Sequence, residues 1–145
     1  IVNVSSVVGR LAPPFNGAYA ATKFALEGMS EALRTEVWPF GVRVALVEPG
    51  VVRTDFAARS VVGERARSPG SVYASYLERY DRLHTRFLRS PHDPVKVARV
   101  IHRIVRSRRP ALRHPVGLEA RLGMLGVRLL PDRLFRALMS RATMG

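Results

Sequence analysis

The chain has 145 residues, enough for one domain built around one core. Its hydrophobic content of 47% and charged content of 24% are those of a globular protein. No window reaches the ~20 apolar residues that a bilayer-spanning helix needs, and no basic n-region with a cleavage site suggests a secretory signal. Cysteine is absent, which excludes disulfides and thiolate metal sites and accords with a cytoplasmic location. The net charge of +13 comes almost wholly from arginine, so nucleic-acid binding has to be weighed. Most of the arginines are spread from Arg53 to Arg141 among apolar residues, without a helix-turn-helix, zinc or RNA-binding signature. A specific nucleic-acid partner is therefore not expected, whereas peripheral contact with an anionic membrane is allowed.

Residues 1–6 are apolar and β-branched at nearly every position, the pattern of a short buried parallel strand ending in Ser5 and Ser6. A loop follows to Gly17, punctuated by Gly9, Pro13, Pro14 and Asn16-Gly17. From Tyr19 to about Phe40 the residues Phe24, Leu26, Met29, Leu33 and Val37 recur at helical spacing, and Gly41 supplies a stop, so one long helix is predicted. Val42 to Val47 is a second buried strand, ending at Pro49-Gly50. A strand–helix–strand unit of this length joins parallel strands by a right-handed crossover.

Beyond Val51 the pattern loosens up to Pro91. Within it Tyr73, Tyr76, Leu77, Tyr80, Leu83 and Phe87 suggest an amphipathic helix over 71–88. Asp93-Pro94 opens another helix, with Val97, Val100, Ile101, Ile104 and Val105 as its buried stripe. Leu112 to Val116 suits a third short strand, and helices are predicted over 118–130 and 132–142, separated by Pro131. The fold class is α/β, part of a parallel sheet with extra C-terminal helices. It divides into a strand–helix–strand unit at 1–56, a segment at 57–92 and a C-terminal part at 93–145.

Three features carry chemistry. Tyr19 and Lys23 stand four residues apart, hence on one face of their helix about one turn apart. A phenol beside a fixed positive charge exchanges a proton more readily than an isolated tyrosine. With four tyrosines and two lysines, one such pair can also arise by accident. The second feature is the hydroxyl pair Ser5-Ser6, thirteen or fourteen residues before Tyr19, whose plain role would be to satisfy loop amides. The third is Pro49-Gly50 with Thr54, whose plain role would be a turn. The histidines His84, His92, His102 and His114 have no metal-ligand spacing and are expected to be surface or satisfied residues.

In this order and at these separations, the strand ending in Ser5-Ser6, Tyr19-x-x-x-Lys23 and the strand ending in Pro49-Gly50 resemble the short-chain dehydrogenase/reductase family. The match is close over 1–56 and loose beyond. The resemblance implies a Rossmann-like, doubly wound sheet and an NAD- or NADP-dependent oxidoreductase interconverting an alcohol and a ketone or aldehyde. It implies Tyr19 as acid/base and Ser6, or Ser5, as the group orienting the substrate oxygen; strand alternation favours Ser6. It implies that Lys23 keeps the phenol ready to release its proton and bonds the nicotinamide ribose. Pro49, Gly50, Val52 and Thr54 would meet the cofactor. The segment at 57–92 would be a lid over the substrate, or plain core packing. Its aromatic content suggests a hydrophobic substrate. The family also allows a homo-oligomer.

The sequence departs from the family pattern in two places: it has neither the glycine-rich phosphate turn nor the asparagine of an upstream helix. It therefore reads as the C-terminal, catalytic half of such an enzyme, with the first four strands outside it and an unpaired edge along Ile1–Val4. The rival readings are an inactive truncated remnant and a basic membrane- or nucleic-acid-binding module.

Overall fold

A computed structural model of the chain describes residues 1–56, 59–61, 63–88 and 91–143, with the backbone alone at 84, 86–88 and 143. Three parallel strands form one sheet in the order β1 (Val2–Val4), β2 (Ala45–Pro49), β3 (Arg113–Val116). The register pairs Val2 with Ala45, Leu46 with Arg113 and Pro49 with Val116. Six helices accompany the sheet: α1 (Gly17–Glu36), α2 (Glu64–Arg67), α3 (Ala74–Leu88), α4 (Pro94–Arg106), α5 (Leu118–Leu129) and α6 (Asp132–Thr143). This is the α/β, Rossmann-like arrangement expected.

The sheet is covered on two faces, and β2 shows why. Val44 to Val47 and Glu48 are all fully buried. Successive side chains point to opposite faces of a strand. Ala45 and Val47 meet Ile104 and Val116, with Val2, Val97, Val100 and Ile101 packed against them, so one face is sealed by α4. Asp93 caps α4 by accepting the Val95 N–H at 2.9 Å, and Pro94 sits at its first position, where its missing N–H costs nothing.

The other face meets α1 by a different chemistry. The residues of α1 turned to the sheet are Ala20, Lys23, Glu27, Ser30 and Arg34, and four of them bond across. Lys23 Nζ donates to the Val4 carbonyl at 3.1 Å, and Asn3 of β1 donates to Ser30 Oγ at 2.9 Å. Arg34 donates to the carbonyls of Val44 and, at 2.8 Å, of Pro110. Glu27 receives Arg113 Nε from β3 at 3.0 Å.

Several sequence expectations are corrected. Phe24 and Met29, whose apolar spacing helped mark the first helix, are 46% and 58% exposed, because polar cross-links hold the α1–sheet contact. The first helix stops at Glu36; Pro39 cannot extend it, and a 3₁₀ turn over Trp38–Phe40 replaces its last turn. The first strand spans Val2–Val4 and is half-buried rather than buried, since β2 is its only partner among the described residues. The second strand begins at Ala45 and runs on through Glu48, past the predicted end. The helix predicted over 71–88 starts at Ala74. Val105 is exposed and outside the α4 stripe. The side chains of His84 and Phe87 lie outside the described residues.

Candidate active site

Ligands of open parallel sheets bind beyond the C-terminal ends of the strands, and there the structure gathers the predicted residues. Tyr19 lies in the first turn of α1. One turn later, Lys23 is anchored by its bond to the Val4 carbonyl at the end of β1, which sets its ammonium 5.8 Å from the centre of the Tyr19 ring. Ser6 follows two residues after Val4 and is 8% exposed. Its Oγ accepts the Val8 N–H at 3.2 Å, capping the 3₁₀ turn Val7–Gly9. That is the plain role weighed for it, and it leaves the hydroxyl proton available to a ligand oxygen.

Ser5 points elsewhere. Its Oγ is buried without a hydrogen-bond partner, in the inner corner where Gly9 approaches Glu27 and the Lys23 carbonyl. The two serines thus have different surroundings.

The segment after β2 is held by a brace that sequence reasoning missed. The Gly50 N–H donates to the Val116 carbonyl at 3.0 Å. His92 donates its N–H to the Val51 carbonyl at 2.9 Å and accepts the Arg53 N–H at 3.0 Å. Val52 lies between those two bonds, and its own N–H and carbonyl take no part in them. At the start of α5, Glu119 accepts the Val51 N–H through Oε1 at 3.3 Å and pairs with His92 Nε2 through Oε2 at 3.0 Å. Two glycines make room for that carboxylate. A Cβ on Gly50 would run into it, and one on Gly117, whose φ is +112°, would stand 2.6 Å from Oε1. His92 is therefore a satisfied residue, as expected, and one that fixes the segment after β2. The separations from Val51 to His92 and Glu119 leave no local sequence signal; an acid opening a helix reads as an ordinary first-turn residue.

Thr54 is exposed, and its Oγ1 accepts the Phe56 N–H at 3.4 Å. What this loop brings to Tyr19 is Phe56, with ring centres 5.2 Å apart. On the other side Phe15, in the left-handed region at φ 64°, meets the ring edges of Tyr73 at 6.3 Å and Tyr80 at 5.6 Å. Asn16 bonds the Tyr80 hydroxyl, and burial pushes the Tyr80 phenol up. Within the aromatic segment Leu77 is buried in the core, while Tyr73 and Tyr80 stand against Phe15 in the loop that leads into Tyr19.

Beneath the site lies a buried acid cluster. Glu48 is fully buried, and neither of its oxygens has a hydrogen-bond partner; Arg113 Nε is 3.7 Å away. Arg113 is committed to Glu27 at 3.0 Å and to Glu31 at 2.8 Å. Burial, and then the neighbouring Glu27, push the Glu48 carboxyl up to about 7, against the pull of Arg113 and Arg10. Among the described residues no group of three or more His, Asp or Glu could hold a metal ion, and no helix is long and apolar enough to cross a membrane.

Comparison with known proteins gives four findings. The family model described as short chain dehydrogenase matches residues 1–65. Retinol dehydrogenase 5 of Homo sapiens is 34% identical over 97% of this chain and 47% of its own length. The 3-ketodihydrosphingosine reductase of Bacteroides thetaiotaomicron is 37% identical over 81% of this chain and 43% of its own. Among solved structures, a short-chain dehydrogenase from Streptomyces avermitilis superposes with a TM-score of 0.70 at 32% identity, over 97% of this chain and 48% of that one. The chain thus spans about half the length of the curated relatives it matches.

Proposed function

This chain belongs to the short-chain dehydrogenase/reductase family, and on that premise we propose that it carries the reaction centre of an NAD- or NADP-dependent oxidoreductase acting on a hydrophobic alcohol or its carbonyl partner. The observation that carries the proposal is the anchored pair: Lys23 bound to the Val4 carbonyl, with its ammonium beside the Tyr19 ring, at the strand end from which Ser6 projects.

The residues suit a dinucleotide. A nicotinamide carboxamide needs one donor and one acceptor, and Val52, outside the braced pair of bonds, has a peptide N–H and carbonyl to offer. The Lys23 ammonium has donors beyond the one given to Val4, which suits ribose hydroxyls. Pro49, Gly50 and Thr54 complete the segment proposed to meet the cofactor. When bound, the dinucleotide supplies the hydride chemistry.

The chain's own residues handle the proton. Ser6 donates its hydroxyl proton to the substrate oxygen and fixes its position. Tyr19 takes the proton from the alcohol oxygen in oxidation and returns it to the carbonyl oxygen in reduction. Lys23, held by Val4, keeps its ammonium beside the ring that exchanges the proton. The Phe15, Phe56, Tyr73 and Tyr80 rings present apolar surface on this side, which suits a lipid-like substrate. The names of the two curated relatives, a retinol and a ketodihydrosphingosine enzyme, support that class. In this scheme 1–56 carries the chemistry, 57–92 the substrate wall and 93–145 the brace. The absence of cysteine accords with a cytoplasmic setting.

The test is a full-length protein offered long-chain and isoprenoid alcohols with NAD or NADP, alongside Lys23→Met. Oxidation should be measurable for at least one alcohol, and Lys23→Met should raise the KM for the cofactor and depress turnover. Unchanged kinetics in Lys23→Met would remove the pair from the mechanism.

A further inference from the structure

The chain's positive charge is concentrated in one stretch. From Pro94 to Leu129, nine basic residues (Lys96 and eight arginines) stand against a single acid, Glu119, which is already taken up by His92 and Val51. Between the C-terminal end of α4 and β3 this stretch opens a cleft of about 360 Å³, with Arg103, Arg109 and Arg121 in its lining and no carboxylate. None of these three forms an ion pair among the described residues.

Arg121 also belongs to a second feature. On the outer side of α5, Leu118, Leu122, Leu125 and Leu129 are 68%, 57%, 49% and 67% exposed. Their spacing of four, three and four residues puts them in one stripe along the helix. Arg121 and Arg128, each three residues after a stripe leucine, flank it along the same side. The opposite face of α5 is the packed one: Ala120 is fully buried, and Gly123 lies close to Leu11. The next helix, α6, adds Leu134 and Leu138, 48% and 52% exposed. A contiguous apolar stripe of this kind needs an occupant.

We propose that this face docks on an anionic lipid bilayer. Helix α5 lies in the plane of the interface, with its leucines in the headgroup–acyl boundary. Arg121 and Arg128 reach to the headgroups at its rim, and the cleft lined by Arg103, Arg109 and Arg121 receives lipid phosphates. Charge selects this occupant over a second copy of the chain. A two-fold contact through the stripe would set Arg121 and Arg128 against their own copies, with no free carboxylate beside the leucines to compensate. A bilayer carrying phosphatidylserine supplies that compensation. The proposal is independent of the role of Tyr19.

Co-sedimentation of the full-length protein with vesicles tests it, using phosphatidylcholine alone and roughly 7:3 phosphatidylcholine to phosphatidylserine. Binding should be at least about tenfold tighter to the anionic vesicles and should weaken steeply with salt. The double variant Arg103→Gln/Arg121→Gln should lose about 25-fold, roughly fivefold per charge. Leu122→Ser/Leu125→Ser should lose more than about tenfold with its unfolding midpoint unchanged. Tyr19→Phe should bind vesicles like the parent. Equal binding to both vesicle types, or unchanged binding of the leucine variant, overturns the proposal. So does a leucine variant with a lowered unfolding midpoint, which would place the stripe inside the full-length protein. Self-association abolished by the leucine variant, without vesicle binding, would assign the face to a second copy, and binding to nucleic acid that ignores the leucines would assign it to that partner.

Discussion

Glu48→Gln isolates the least comfortable group in the structure. The wild-type carboxyl is fully buried, has no hydrogen-bond partner and shares its surroundings with Glu27. Its folded-state pKa of about 7 lies above the ordinary value of 4.5. Below the ordinary value both states hold the proton and folding is unaffected. Between about 4.5 and 7 the folded state keeps the proton that the unfolded chain has released, so raising the pH through this window weakens folding. The penalty works out at about 1 kcal/mol at pH 5 and about 3 kcal/mol at pH 8. Glutamine keeps the shape and cannot ionise. Denaturant unfolding of the full-length protein and the variant across this range should show the variant gaining about 2–3 kcal/mol on the wild type between pH 5 and pH 8. A stability difference that stays flat with pH would mean that Glu48 is solvated or better paired than its geometry indicates, and the reasoning would fail.

Three further outcomes are expected. Arg113→Met leaves Glu27 and Glu48 buried without their cation and should cost about 3–5 kcal/mol near neutral pH, measured by the same unfolding; less than about 1 kcal/mol would show the cluster to be well hydrated. Glu119→Ala removes the brace on Val51 and His92. It should raise the KM for the dinucleotide about tenfold while turnover at saturation falls less than about threefold; the reverse split would place Glu119 with the reacting atoms. Lys23→Met should weaken cofactor binding in the same direction, visible by calorimetric titration, while sparing the fold, because the lost bond to Val4 is a single one.

Much of this was legible in the sequence, and the reasons differ by element. The strand around Val44–Val47 is apolar at every position because it is sealed on both faces, and an unbroken apolar run this short is the mark of a strand shielded from water on each side. Asp93-Pro94 marked the start of α4 through capping chemistry that is local. Tyr19 and Lys23 were found through helical spacing, and the order of the motifs placed them at the sheet end where they stand. What the sequence hid are the contacts made by polar residues over long separations. The α1–sheet seam is built from Lys23, Glu27, Ser30 and Arg34, while Phe24 and Met29, whose apolar spacing marked the helix, are exposed. Arg113 joins Glu27 from 86 residues away, and Glu119 joins Val51 from 68 residues away, distances at which spacing holds no information. The leucines of α5 were legible as helix but not as surface, since periodicity identifies an apolar face without saying what covers it.

The central claim is that Tyr19 moves the proton, and Tyr19→Phe in the full-length protein tests it most directly. Phenylalanine keeps the ring contact with Phe56 and the position above Lys23, and removes only the hydroxyl. Turnover of an alcohol substrate with NAD or NADP should fall by about two to four orders of magnitude, with cofactor binding and the unfolding midpoint close to those of the parent. Turnover within a few-fold of the parent, in a variant that folds and binds the dinucleotide, would contradict the assignment of the reaction to this pair.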